Sequence, residues 1–375
     1  MEGESTLHPI KRQQNGGNMK AFVLHNIGDL QLEEVKKPEL KEREVLVEVR
    51  AAGICGSDIP RIYRTGAYSH PLIPGHEFSG VVTEVRDDMD RQWIGKRVGI
   101  FPLIPCGSCP PCEKKQYEMC RHYGYLGSRR DGGFAEFAAV PVDNLLVLPD
   151  TVTFPEAAML EPMAVAVHAM RRADLEPADW IVVCGLGTIG LLLIMFLMDR
   201  GCRKILAIGN KESQKQAVLK LGLGEDCYCD ARKQDMGRWV LEKTGIGTAV
   251  FFECVGKNET IAFGVEYTAP GGQVMLMGNP YSDMKLDKAV YWKILRNQLT
   301  VTGTWNSSFH YGRNTKRGSE AEGLDDWQYV LERLAKRRIS PADLISHQFP
   351  FEKLEQGFQI MRDKSEDYIK IMGIR

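Results

Sequence analysis

One stretch near the middle constrains this chain most: Ile181-Val182-Val183-Cys184, then Gly185-Leu186-Gly187-Thr188-Ile189-Gly190, then Leu191-Leu192-Leu193-Ile194-Met195-Phe196-Leu197-Met198. Four consecutive apolar residues suit a strand buried on both faces, and the longer apolar run after the glycines suits a helix. The Gly-x-Gly-x-x-Gly turn between them leaves backbone bare enough for a pyrophosphate to approach. The helix that starts there turns unsatisfied N–H groups and its positive dipole end toward that anion. Residues 181–198 also form a charge-free run at the lower length limit of a membrane span. The three glycines, bounded by Trp180 and by Asp199-Arg200, fit strand, turn and helix instead. Because the same pattern occurs in ordinary strand turns, its surroundings decide its meaning.

Those surroundings alternate. Residues 204–208, 226–229, 249–254, 272–278 and 299–303 read as strands, with helices expected over 211–221, 235–244 and 258–267. This alternation predicts an α/β, doubly wound parallel sheet of the Rossmann type, with ligands at the C-terminal strand ends. Before residue 155 the chain reads as short strands, at 19–24, 44–50, 81–85 and 97–100, separated by glycine-rich turns, which predicts a small β-barrel. At 375 residues the chain is too long for one ordinary core, so two domains are expected. We place a disordered extension at 1–18 and a barrel domain at 19–158, completed by a returning tail at 305–375. The dinucleotide-binding domain takes 159–304. Within the tail a helix is expected at roughly 325–338.

A net charge of −1 gives no basis for a nucleic-acid partner or an acidic membrane surface. Residues 1–18 are polar and lack an apolar leader, so a cytoplasmic setting without a disulfide framework is expected. In a reducing compartment clustered cysteines point to metal. Cys106-x2-Cys109-x2-Cys112-x7-Cys120 sits in a loop with Pro105, Gly107, Pro110 and Pro111, and four thiolates at that spacing close a tetrahedral zinc shell. A closed shell is structural. Thiolate ligation also suits an iron–sulfur cluster, and a redox dithiol is the other competing reading. A second, dispersed set comprises Cys55, His76, Glu77 and Glu161: a thiolate, an imidazole and two carboxylates, which suits a catalytic zinc with an open position.

Gly53-x-Cys55-Gly56-Ser57-Asp58, Gly75-His76-Glu77-Phe78-x-Gly80, the four-Cys loop, Asp131-Gly132-Gly133-Phe134-Ala135-Glu136 and Glu161-Pro162 follow one another in order. Together they resemble the zinc-dependent medium-chain alcohol dehydrogenase superfamily over about residues 19–375, most closely its polyol dehydrogenase branch. The resemblance implies a GroES-like catalytic barrel beside the Rossmann domain, two Zn2+ per chain, a nicotinamide dinucleotide, and a homodimer or homotetramer. It assigns the catalytic zinc to Cys55, His76 and Glu161, with Glu77 beside it as an alternative ligand or a supporting carboxylate. Ser57 becomes the first carrier of the released proton, although its residue type also suits a loop turn. The substrate implied is a polyol or a sugar-alcohol phosphate. Another secondary alcohol, of the threonine or butanediol type, is the alternative within enzymes, and a non-catalytic nucleotide-binding protein of this fold is the alternative outside them.

Two departures bear on mechanism. Pro60 stands where many relatives carry a His that conducts the proton outward. At the second Rossmann strand, where NAD-binding members carry an acid for the ribose diol, this chain has Gly209-Asn210-Lys211. Loss of that carboxylate, with Lys211 and Lys215 near, predicts NADP(H); solvated lysines and NAD with weaker ribose contacts are the competing reading. Arg61, Arg64, Arg129 and Arg130 lie in segments that the resemblance brings toward the cleft. An arginine pair suits a phosphate, and plain surface charge is the alternative.

Overall fold

The computed structural model describes residues 17–280, 282–311 and 323–375. Of the extension expected at 1–18, residues 1–16 lie outside that range, and Asn18 is not part of it because it opens β1 (Asn18–Asn26). β1 pairs antiparallel with β2 (Asp29–Lys36).

The first half builds an antiparallel sheet around β3 (Glu44–Ile54), which pairs with β4 (Glu77–Val85) and β8 (Phe137–Pro141). β5 (Arg97–Ile100) and β9 (Leu145–Val147) extend it. α1 (Asp58–Pro60) follows β3, and a short pair, β6 (Leu103–Ile104) with β7 (Gly124–Tyr125), brackets the four-Cys loop. Within that loop lies α2 (Pro110–Glu113). α3 (Phe154–Ala158) begins at a capping box in which Thr153 and Glu156 satisfy each other's backbone N–H groups. α4 (Leu160–Arg172) then leads into the second sheet.

That sheet is parallel, in the order β12-β11-β10-β13-β14-β15. Its strands are β10 (Trp180–Cys184), β11 (Lys204–Gly209), β12 (Tyr228–Asp230), β13 (Thr248–Glu253), β14 (Thr268–Leu276) and β15 (Thr300–Gly303). The helices between them are α5 (Thr188–Arg200), α6 (Glu212–Lys220), α7 (Met236–Thr244), α8 (Asn258–Tyr267) and α9 (Lys288–Arg296). Successive residues of β10 point to opposite faces. Ile181 and Val183 join a core shared with α4 and α5, whereas Val182 and Cys184 join one shared with Val240 of α7 and Val265 of α8. Covering both faces is why this strand reads as an unbroken apolar run. No helix of the described residues is long and apolar enough to cross a membrane.

The tail folds back onto the first sheet. After α10 (Asp326–Ala335), β16 (Ile345–Pro350) and α11 (Leu354–Asp363), β17 (Lys370–Ile374) lies between β16 and β3, with Ile371 opposite Ile54. Phe358 of α11 packs edge-on against Phe22 and Phe134. Asp326 fixes α10 to α4, taking His168 Nδ1 at 2.9 Å and Arg171 at 3.0 Å. α4, α9 and α11 were not anticipated from sequence. α4 carries Glu161 and Pro162 in its first turn, and its residues from Leu160 to Ala164 are all buried.

Candidate active site

The glycine turn has the three-part geometry that a dinucleotide needs. Gly185 adopts φ +100°, and an added Cβ at Gly190 would stand 2.0 Å from the Gly185 carbonyl oxygen, so both are required by the turn itself. A Cβ at Gly187 would meet nothing within 4 Å, which leaves space over bare backbone at the start of α5. Leu186 is buried beneath the turn, and Ile189 lies between Gly190 and Thr188 in the first turn of α5. Thr188 Oγ1 donates to the Ile369 carbonyl at 2.6 Å. These positions predict a split. Gly190→Ala is expected to lower stability by about 1–3 kcal/mol through overpacking. Gly187→Ala is expected to fold normally and lose dinucleotide affinity. Thermal unfolding with NADH fluorescence titration checks both.

At the end of β11, Gly209 is followed by Asn210, whose N–H donates to Gln214 Oε1 at 2.8 Å, so no acid stands there. Both expected lysines already have carboxylate partners. Lys211 Nζ lies 2.8 Å from Asp367 Oδ1, and Lys215 Nζ lies 3.2 Å from Glu225 Oε1.

The dispersed set is assembled by the β3–β4 register. Gly53 faces Glu77 across the two strands, so Cys55, just past β3, comes beside His76, just before β4. Ligand atoms of Cys55, His76 and Glu77 all lie within 4.8 Å of one another. Ser57 Oγ donates to Cys55 Sγ at 3.3 Å. Asp58, fully buried, accepts from the Cys55 N–H at 3.0 Å, pairs with Arg61 at 2.6 Å and stands 3.4 Å from His76 Nδ1. Burial alone would push Asp58 up; the His76 and Arg61 charges and the Cys55 N–H hold it below the usual carboxylate range. A carboxylate behind Nδ1 leaves Nε2 as the ring nitrogen for a metal. Thiol, imidazole and carboxylate converging in a buried pocket fit a zinc ion.

The two glutamates, Glu161 expected as a ligand and Glu77 as an alternative ligand or supporting carboxylate, stand differently toward Cys55 and His76. Glu161, in the first turn of α4, falls outside the convergent trio because the Tyr125 hydroxyl holds its Oε1 at 3.0 Å. Burial, opposed by His76 and reinforced by Glu77, pushes Glu161 up to about 6. Glu77 is inside the trio, and its Oε2 is paired with the buried Lys370 ammonium. Tyr125, set edge-on to the His76 ring at 5.8 Å, carries no sequence signal that would have marked it.

The arginines separate as well. Arg61 is committed to Asp58 and Arg130 to the buried Glu44, so neither is the free phosphate grip anticipated; Arg64 is exposed. Arg129 lies over the rings of Tyr68 and Tyr123, at 3.7 and 4.6 Å, with no carboxylate partner among the described residues.

In the four-Cys loop the sulfurs stand 3.5 Å (Cys109–Cys112), 3.8 Å (Cys109–Cys120) and 3.9 Å (Cys106–Cys112) apart. A tetrahedron with Zn–S bonds of about 2.3 Å has edges of about 3.8 Å, so these thiols fit a zinc ion and are too far apart for disulfides.

A dinucleotide turn on a doubly wound sheet, joined to a GroES-like barrel with one open and one closed metal-ligand set, defines the class. The chain belongs to the zinc-dependent medium-chain alcohol dehydrogenase superfamily and is an NAD(P)-dependent alcohol dehydrogenase of its polyol branch. Residues 41–150 match the alcohol dehydrogenase GroES-like domain and residues 188–320 the zinc-binding dehydrogenase family. The chain is 34% identical to galactitol 1-phosphate 5-dehydrogenase of Escherichia coli (strain K12), over 90% of this chain and 95% of that protein. It is 30% identical to L-idonate 5-dehydrogenase of Vitis vinifera, over 99% of each chain. The crystal structure of galactitol-1-phosphate dehydrogenase from Escherichia coli superposes with a TM-score of 0.83 at 31% identity, covering 95% of this chain and 100% of that one.

Proposed function

We propose that this chain interconverts a polyol phosphate and its ketose, a reaction of the galactitol 1-phosphate to tagatose 6-phosphate type, using NADP(H) and two Zn2+ per chain. The observation that carries the reading is one dipeptide. The carbonyl of Ile369 takes Thr188 of the glycine turn, and the ammonium of Lys370 takes Glu77 of the metal trio, so the dinucleotide seat and the metal seat adjoin. When bound, zinc supplies a Lewis acid and the nicotinamide a hydride acceptor. Cys55, His76 and Glu77 hold the metal, and Asp58 orients His76. Tyr125 keeps Glu161 beside the centre. Ser57 is the first group to take the substrate's proton, and with Pro60 in place of a His, water or another side chain completes its exit. Arg129, with Arg61 and Arg130 committed elsewhere, is the residue that meets the phosphate.

In this reading residues 19–158 with 305–375 form the catalytic unit and 159–304 the dinucleotide unit. The assembly is a cytoplasmic homodimer or homotetramer, as the family likeness favours. NADP is supported by the missing acid at Gly209-Asn210.

The test is kcat/KM for the zinc-loaded protein with both cofactors on galactitol 1-phosphate, galactitol, sorbitol, L-threonine and 2,3-butanediol. Galactitol 1-phosphate with NADP is expected to lead. Equal rates on free and phosphorylated hexitols remove the phosphate, and a strong NAD preference removes NADP. Superior turnover of threonine or butanediol moves the chain to another secondary alcohol.

A further inference from the structure

We infer that Asp367 governs the choice between the two dinucleotides by occupying, with its own carboxylate, the seat of the second phosphate of NADP. The inference rests on the reading above that the end of β11 receives the adenosine ribose. Strand ends of this kind carry an acid that accepts the ribose hydroxyls. Gly209 and Asn210 supply none, yet a carboxylate reaches the same corner from far along the chain. Asp367 arrives on the loop between α11 and β17. One of its oxygens takes Lys211 Nζ at 2.8 Å, and the other takes Ser213 Oγ at 2.9 Å.

The surroundings are those of an anion site. Lys211 stands at the residue before α6, and Ser213 lies in its first turn beside Glu212, where the helix dipole favours negative charge. Arg232, just past β12 and forked onto Asp230 at 3.2 Å, adds its positive field, and the Lys211 and Ser213 contacts hold Asp367 below the usual carboxylate range. Two residues on, Ile369 touches Thr188, so this loop runs along the dinucleotide turn.

A 2′-phosphate at that corner needs the donors that Asp367 now holds, and it meets a like charge. The carboxylate therefore works against NADP in two ways, by repelling the phosphate and by neutralising the lysine that would pair with it. NADH carries a hydroxyl in that place and is spared both penalties.

The experiment compares wild type with Asp367→Asn, which keeps the shape and removes the charge. Dissociation constants are measured for NADPH and NADH by fluorescence, and for 2′,5′-ADP and 5′-AMP by calorimetry. In Asp367→Asn, NADPH and 2′,5′-ADP are expected to bind about tenfold tighter or more, with NADH and 5′-AMP changed less than about twofold. Adding Lys211→Met should cancel the gain. An unchanged NADPH to NADH ratio overturns the inference. So does equal weakening of both, which would make Asp367 only a strut for Lys211 and Ser213. A wild type selective for NADH that gains NADPH on Asp367→Asn upholds the inference and rejects the NADP preference proposed above. A wild type selective for NADPH that is indifferent to Asp367→Asn does the reverse.

Discussion

Cys55→Ala is expected to reduce kcat/KM by about 10³-fold or more while leaving thermal unfolding within a few degrees of wild type. The magnitude follows from losing several kcal/mol of Lewis-acid stabilisation at about 1.4 kcal/mol per tenfold. The mild effect on stability follows from position: Cys55 lies just past the end of β3, half-buried, with its thiol accepting from Ser57 and not packed in a core. Elemental analysis should find one zinc per chain remaining, held by the four-Cys loop. His76→Ala should behave alike. Asp58→Asn leaves the ligand atoms in place and weakens what supports them, the far side of the imidazole, the Cys55 N–H and Arg61, and its expected loss of metal affinity is about 10- to 100-fold. The carboxylates give the sharpest comparison. Glu77→Gln should cost more zinc than Glu161→Gln, because the Glu77 carboxylate converges with Cys55 and His76 whereas the Tyr125 hydroxyl restrains Glu161. The opposite ranking would return Glu161 to the metal shell.

Cys112→Ser is expected to act on stability before chemistry. Its loop has little else to hold it: the local core consists of Cys109, Cys112 and Cys120, flanked by Cys106, Tyr117 and Tyr123. Burial and the neighbouring sulfurs push the Cys112 thiol up to about 12 while backbone N–H groups pull Cys106 and Cys109 down, and four thiolates this close repel one another unless a cation lies among them. A dication supplies that compensation, and structural zinc sites contribute on the order of 10 kcal/mol of binding free energy in isolated zinc-finger peptides. A share of a few kcal/mol in this chain would lower the melting temperature by several degrees or more. Limited proteolysis should then cut within residues 106–120, and zinc content should fall to one per chain, with turnover retained at low temperature. Acidification should release this zinc too, because protons compete for the thiolates. An unchanged melting temperature and zinc content would refute the structural role.

Features set by short-range pattern were legible in the sequence. The apolar run of β10, the glycine spacing after it and the beat of strand and helix to β15 all follow from both faces of one sheet being covered, which leaves a local signature. The four-Cys loop was legible because its ligands lie within fifteen residues. What escaped depends on contacts between distant segments. Tyr125 meets Glu161 across 36 positions, Lys211 meets Asp367 across 156, and Lys370 meets Glu77 across 293. The last and first of these pairs bear on which glutamate converges with Cys55 and His76. Arg130 reads as a free cation for the same reason, since Glu44 lies 86 positions away and becomes its partner only in the fold, whereas Arg61 pairs locally, with Asp58 three residues before it. Asn18 was assigned to the extension because one polar residue at a strand edge carries no pattern of its own.

The placement of β17 has a bearing on how the enzyme comes into being. The strand fills the gap between β16 and β3, and its first residue is the lysine that pairs with Glu77. During synthesis the dinucleotide sheet has all its strands once residue 303 has emerged, long before the metal trio acquires its counter-charge. Glu77 therefore gains its Lys370 partner only after every strand of the dinucleotide sheet has been made. A nascent chain halted before residue 370 would carry a finished cofactor platform beside an unfinished reaction centre.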